Sequence, residues 1–307
     1  MIIHVHGILN NIFSGILGLL INAGAAMPLV ILFSLIADNK KKGLLPEYFS
    51  SNAIRINMFI SVTALAGLTT QAITLIKGLA GKGPGTHINP WQPAFMPWTL
   101  SCILWFLGCL CLMLMGNAAN SAAKFPGGPC HSPRHKYVCI AAILAAMCFF
   151  STFLSINWPF AGLPADMSLS RAFSAIFKNA FHTYYTGFTP AGASLLVLYA
   201  LLMRKRLLNR NQPENTVSAI RWFAFWTIAG SFPYWLQNFG LVLGLGYHYG
   251  FSGNIVWKSV NLTLLTLSLV SWGAIFALGK KHLPGLLCSG WLALLLFYAL
   301  RNLQNPL

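Results

Sequence analysis

The sequence predicts an all-α polytopic membrane protein of about eight transmembrane helices, and two observations lead to that class. Hydrophobic residues make up 56% of the 307 residues and charged residues only 8%, so a water-exposed globule would lack the polar surface to cover its apolar mass. The apolar residues also fall in eight stretches, each close to the roughly 20 residues that cross a bilayer. The sequence therefore predicts that lipid solvates most of the chain.

The eight predicted spans follow one another through short connections. They cover residues 8–37, 53–80, 97–118, 137–157, 184–203, 218–246, 256–279 and 283–301. We interpret 1–307 as a single helical bundle with two halves, 1–157 and 158–307, because the connections leave no room for a separate soluble domain. Gly230 and Pro233 predict a bend in the sixth span that could open a pocket for a quinone ring.

The basic residues predict the orientation of the bundle. The formal charge of +16 comes from 20 Lys and Arg residues against four carboxylates, but the basic residues alternate between loops and form no nucleic-acid-binding tract. With eight spans, 14 of the 20 fall on one side and six on the other. The positive-inside rule makes the richer side cytoplasmic, so both termini are expected outside, in a bacterial or archaeal inner (plasma) membrane.

The four carboxylates, Asp38, Glu47, Asp166 and Glu214, all lie in predicted connections. Proton pumps and oxygen-reducing sites usually hold an acid within the membrane, so this distribution argues against both. Asp166 is the one carboxylate expected outside. It is the candidate proton acceptor if a quinol is oxidised there.

Two histidines stand out by predicted depth. His182 opens the fifth span about one turn into the lipid boundary, and His248 precedes the seventh span at a similar depth. Two neutral imidazoles on different helices are what a six-coordinate b-type haem requires. The alternative is that both are interfacial side chains bonded to lipid headgroups.

Other histidines carry weaker signals. Cys130, His131 and His135 have a spacing that can hold zinc, although Pro133 favours an ordinary irregular loop. His4 and His6 could reach the cofactor of a partner or belong to a plain terminal segment.

Several short segments, taken in order, resemble subunit I of the cytochrome bd family of quinol oxidases over roughly the first 230 residues. The segment Phe181-His182-Thr183 is the most specific, because it resembles the family helix whose histidine is an axial ligand of the outer, low-spin haem b. The other matching segments are Ile56-Asn57, Gly67-Leu68-Thr69, Asn157-Trp158-Pro159, Gly187 and Met203-Arg204.

The chain also departs from that family. No histidine occurs between His6 and His87, where the family has a ligand of its oxygen-reducing haems, and residues 97–118 lack the family's glutamates. The last methionine is Met203, so the usual second ligand of the low-spin haem is missing, and the long outer quinol loop is reduced to about 247–255.

The resemblance and the departures together imply a bundle that has lost oxygen reduction and kept one outer haem b. His182 would be one axial ligand and His248 would replace the methionine. Arg171, Lys178 and Lys258 would neutralise the haem propionates, unless they are ordinary snorkelling cations.

The expected function is a membrane b-type cytochrome that transfers electrons between the quinone pool and an extracytoplasmic partner. That partner would be a c-type cytochrome or another redox subunit, within a hetero-oligomeric respiratory complex. Two other hypotheses stay open. One is a haem-free structural subunit that anchors a redox complex. The other is a small-solute carrier, against which the missing acids and the lack of repeats both argue.

Overall fold

The computed structural model describes residues 2–41, 45–46, 49–80, 96–123, 133–157, 169–204, 214–249, 253–279 and 282–301. Nine α-helices occupy nearly all of these residues, so the predicted all-α class is confirmed. The helices are α1 (Ile2–Lys41), α2 (Phe49–Ala80), α3 (Met96–Ala123), α4 (Pro133–Ile156), α5 (Leu169–Thr186), α6 (Phe188–Leu202), α7 (Glu214–Tyr249), α8 (Gly253–Leu278) and α9 (Leu283–Arg301).

Seven helical segments within the described residues are long and apolar enough to cross a membrane, so the chain is a multi-pass membrane protein. They lie in α1, α2, α3, α4, the α5–α6 pair, α8 and α9. The pair counts as one segment, Ser170–Leu202, because only Gly187 separates the two helices. The predicted fifth span began at residue 184, whereas α5 begins at Leu169.

The helix α7 is the predicted sixth span, and it is not among these seven segments. Its 36 residues are long enough, but Arg221, Gln237 and Asn238 lower its apolar content. It nevertheless runs alongside two spanning segments. On one side Gly192 of α6 touches Thr227, and on the other Trp235 donates a 2.7 Å hydrogen bond to Thr266 of α8. A helix packed between two spans lies at their depth, so eight crossings remain consistent with the structure.

Side-chain contacts show that α1 and α2 run antiparallel. Leu17 of α1 lies against Gly67 of α2, while Ser14, earlier in α1, accepts a hydrogen bond from Gln71, later in α2. The start of α1 and the end of α9 lie together, because Asn22 Nδ2 donates to the Tyr298 hydroxyl at 3.0 Å. The first and last helices therefore meet at one end of the bundle, as an even number of crossings requires.

The helix α1 lies at the centre of the bundle and joins the two predicted halves. Its segment Ala25–Ile31 is almost entirely buried, and α1 packs on α2, α4, α6 and α9. One continuous apolar core includes residues from both halves, such as Phe49 of α2 against Phe223 of α7 at 5.2 Å between ring centroids. All nine described helices contribute to this core, and a second, smaller cluster of Leu19, Leu265, Leu294, Phe297 and Tyr298 joins α1, α8 and α9.

Candidate functional site

His182 lies on α5, two turns after Ser174 and just before the interruption at Gly187. Its ring packs on Tyr234 of α7, with ring centroids 5.5 Å apart and planes at 50°. The side chain is partly exposed, but its Nε2 atom is buried. The imidazole therefore lies at the contact between α5 and α7.

A groove of about 780 Å³ opens between α5 and α7 beside this histidine. Its volume falls within the roughly 300–1,000 Å³ typical of small-molecule sites. Residues of α5 form most of the wall, and α7 contributes Pro233 and the exposed amide of Gln237. The lining residues are Ser174, Phe177, Lys178, Asn179, Phe181, His182, Tyr185, Pro233 and Gln237.

Four aromatic rings form a ladder along α5 at intervals of four residues. Phe173, Phe177, Phe181 and Tyr185 stack in succession with centroid separations of 6.3, 6.3 and 6.0 Å. The three phenylalanines are about half exposed. Because residues four apart lie on one helix face, the ladder gives the groove a flat aromatic border beside His182.

Depth within the bundle can be inferred from the residue after His182. Thr183 lines a second, smaller cavity together with Trp98, near the start of α3, and Asn157, just after α4. His182 therefore lies near the end of the bundle at which α3 begins and α4 ends, which is the end that the charge pattern assigns to the outside.

His248 lies near the end of α7. The predicted sixth span ends at residue 246, but α7 continues to Tyr249. His182 packs at the level of Tyr234, and the 14 residues from Tyr234 to His248 correspond to about 21 Å along an α-helix. The side chain of His248 lies outside the described residues, so its pairing with His182 stays a prediction.

The three predicted propionate partners lie in different places. Lys178 precedes His182 by one turn and lines the same groove. Arg171 lies three turns before His182, about 16 Å away along the helix, and Lys258 is near the start of α8. Neither Arg171 nor Lys258 lines the groove. Asp166 lies outside the described residues.

The described residues contain no group of three or more His, Cys, Asp and Glu side chains that could hold a metal ion. The proposed zinc ligands Cys130 and His131 lie outside those residues, as do the side chains of His135, His4 and His6. The six cysteines that the structure describes are free thiols.

The second cavity, of about 300 Å³, has no counterpart in the predicted sites. Gln71, which lines it, donates a hydrogen bond of 3.4 Å from α2 to Ser14 of α1. Asn22, also in the lining, was missed. In the sequence it is an amide within a mostly apolar span. Its hydrogen bond to Tyr298 is visible only in the structure, where α9 packs on α1.

The fold and the groove define a class, a multi-pass helical membrane protein with a histidine-bearing groove between two helices. No family model, curated protein or solved structure matches the chain.

Proposed function

We propose that this protein is a membrane electron-transfer subunit that holds a b-type haem on His182. It passes electrons between a membrane quinone and an extracytoplasmic redox partner, a c-type cytochrome or another redox subunit. It works within a hetero-oligomeric respiratory complex of a bacterial or archaeal plasma membrane. The observation that carries the proposal is the presence of His182 and Lys178 in one groove of about 780 Å³.

The groove residues fit a haem in three respects. His182 offers an imidazole, the usual protein ligand of haem iron. Lys178 is a cation one turn away, where a propionate can be neutralised. Phe177, Phe181 and Tyr185 supply the apolar, flat border that a porphyrin face requires.

The same residues indicate how the chain would ligate such a haem. Among the residues that the structure describes, the groove contains one imidazole, and His248 lies about 21 Å along the axis of α7 from Tyr234. His182 would hold the iron of the proposed haem, and His248 stays the predicted second ligand. When bound it would supply one-electron transfer, while the chain holds its iron, neutralises a propionate and limits access of water.

A pyridine haemochrome spectrum of the purified chain tests the proposal. We expect haem b in the wild-type protein and its loss in His182→Ala. His131→Ala is the control, because that histidine is predicted on the opposite side of the membrane. A wild-type chain without haem b, expressed in a haem-replete host, would contradict the proposal.

The presence of one imidazole in the groove also favours a second candidate, a haem-free subunit that anchors a redox complex. In that case the groove would be filled by lipid or by a helix of a partner subunit. The same spectrum separates the two, because the anchor hypothesis predicts no haem in either variant or in the wild type.

A further inference from the structure

The second cavity lies on the opposite side of α5 from the groove, and polar side chains from four helices meet in it together with Asn157, which follows α4. Because consecutive residues of a helix point about 100° apart, His182 can line the groove while Thr183 lines the cavity. Ser14 and Asn22 come from α1, Gln71 from α2 and Tyr298 from α9, and Asn157 follows α4. This concentration of polar groups within a membrane bundle points to a bound molecule or a structural network.

The side-chain amides of Asn22 and Gln71 have donor and acceptor atoms that their hydrogen bonds do not use. Asn22, which is 4% exposed, donates one N–H to Tyr298 at 3.0 Å. Gln71 donates one N–H to Ser14 at 3.4 Å. Each primary amide carries a second N–H and a carbonyl oxygen that these bonds do not employ. A ligand in the cavity can therefore receive and donate hydrogen bonds.

The rest of the lining restricts the ligand to a neutral, partly apolar molecule. No Lys, Arg, His, Asp or Glu is among the residues that the structure places around the cavity. A charged ligand would stay uncompensated there, at a high desolvation cost. Trp98 and Phe153 contribute aromatic rings, and Ile21 and Leu68 contribute aliphatic surface.

We propose that this cavity binds the head group of a membrane quinone. A quinone head is neutral and planar, its two carbonyl oxygens accept hydrogen bonds from amides, and lipid delivers it. The volume of about 300 Å³ lies at the lower limit for small-molecule sites, which suits a single-ring or fused-ring head whose isoprenoid tail remains in lipid. The proposal rests on the electron-transfer function, since it places the quinone one helix away from His182.

Gly18 offers a way to fill the cavity without disturbing the helices. It lines the cavity, and a Cβ atom added there would meet no atom within 4 Å. Gly273 of α8 is equally open and lines none of the cavities described above. Gly18→Leu should therefore block the cavity, and Gly273→Leu is the matched control.

The experiment is photolabelling of the purified chain in lipid nanodiscs with a short-chain azidoquinone, followed by mapping of the labelled peptides. We expect label on the α1 and α2 segments around Ser14–Asn22 and Leu68–Gln71, reduced about tenfold in Gly18→Leu, which corresponds to about 1.4 kcal/mol. Gly273→Leu should label as the wild type does. If Gly18→Leu fails to fold, Gln71→Leu tests the contribution of the cavity amide separately. Its control is Asn117→Leu, which removes an amide from the exposed face of α3.

Three outcomes would overturn the inference: no labelling, unchanged labelling in both Gly18→Leu and Gln71→Leu, or label confined to the groove residues between Phe177 and Tyr185. The haem content of the same samples is read from their absorption spectra. Cavity labelling in a chain without haem contradicts only the proposed function, and haem without cavity labelling contradicts only the quinone site.

Discussion

Gly187 separates α5 from α6, and we expect its replacement by alanine to destabilise the bundle. A Cβ atom at this position would overlap the carbonyl oxygen of Asn22 in α1, and it would lie 2.9 Å from the carbonyl oxygen of Tyr184 and 3.1 Å from the Cβ of Ala26. The nearest atom belongs to the backbone of another helix. Relief of this contact requires α1 and the α5–α6 pair to separate by about 1 Å, because interiors are packed to contact distance.

The expected change in the free energy of unfolding is the sum of two opposing contributions. Forced overpacking of this kind costs about 1–3 kcal/mol. Alanine gains roughly 0.8–1.0 kcal/mol over glycine in helix propensity, and Gly187 has the helical dihedrals φ −63° and ψ −22°, so alanine incurs no backbone strain. The net loss relative to the wild type is about 0–2 kcal/mol, a fall in Tm of up to about 8 °C for a chain of this size class, and the loss relative to the same change in open space is about 1–3 kcal/mol.

Thermal unfolding of the purified protein in detergent measures this change. Gly273→Ala is the control, since open space surrounds its Cβ position, and the same gain in propensity should leave its Tm unchanged or slightly raised. If Gly187→Ala and Gly273→Ala unfold at the same temperature, the close approach of α1 to this junction is refuted.

Two further predictions concern cations. Lys178→Met should lower the midpoint potential of the proposed haem by roughly a few tens of millivolts, because loss of a nearby positive charge disfavours the reduced iron, and added salt should shrink the difference. A redox titration measures this shift, with Lys258→Met as the control. Equal shifts in the two variants would contradict the assignment of Lys178. Arg221→Met should reduce stability by about 1–2 kcal/mol, because this side chain donates hydrogen bonds of 3.0 and 3.3 Å to the carbonyl oxygens of Phe276 and Ala277 at the end of α8. Arg221→Lys should recover only part of that loss in a Tm measurement, because lysine lacks the two-point geometry, and full recovery would show that charge alone is needed.

The fold class could be predicted because lipid imposes a simple requirement on composition. The predicted span at 283–301 coincides with α9, and 97–118 lies within α3. The prediction for the fifth span failed at its start, because Arg171, Lys178 and Asn179 interrupt the apolar pattern of α5. Amphipathic helices at a bundle surface need polar residues that a search for apolar stretches rejects.

The end of α7 was also harder to predict from the sequence. The predicted sixth span ends at residue 246, whereas α7 continues through Gly244 and Gly246 to Tyr249. Within a membrane every backbone N–H and C=O must find a partner inside the protein, so a helix with many glycines continues. The pairing of His182 with His248 stays a prediction, because the side chain of His248 lies outside the described residues.

The cavity could not be predicted, because its walls come from residues far apart in sequence. Asn22 and Tyr298 are 276 positions apart, yet their side chains are joined by a hydrogen bond. Nothing in the periodicity of α1 or α9 indicates that pairing. Apolar spans of similar composition can pack in many orders, so only the arrangement of helices shows which polar residues meet.

The junction between α5 and α6 positions one residue of each candidate site. Pro190 has no N–H to donate to the carbonyl oxygen of Thr186, so the regular helix is interrupted at Gly187. Gly187, without a side chain, lets the backbone of α1 come within contact of this interruption at Asn22. That contact fixes α5 against α1, with Thr183 towards the cavity and His182 towards α7. Two consecutive residues of α5 therefore face the groove and the neutral polar cavity, which puts the proposed haem ligand next to the proposed quinone site.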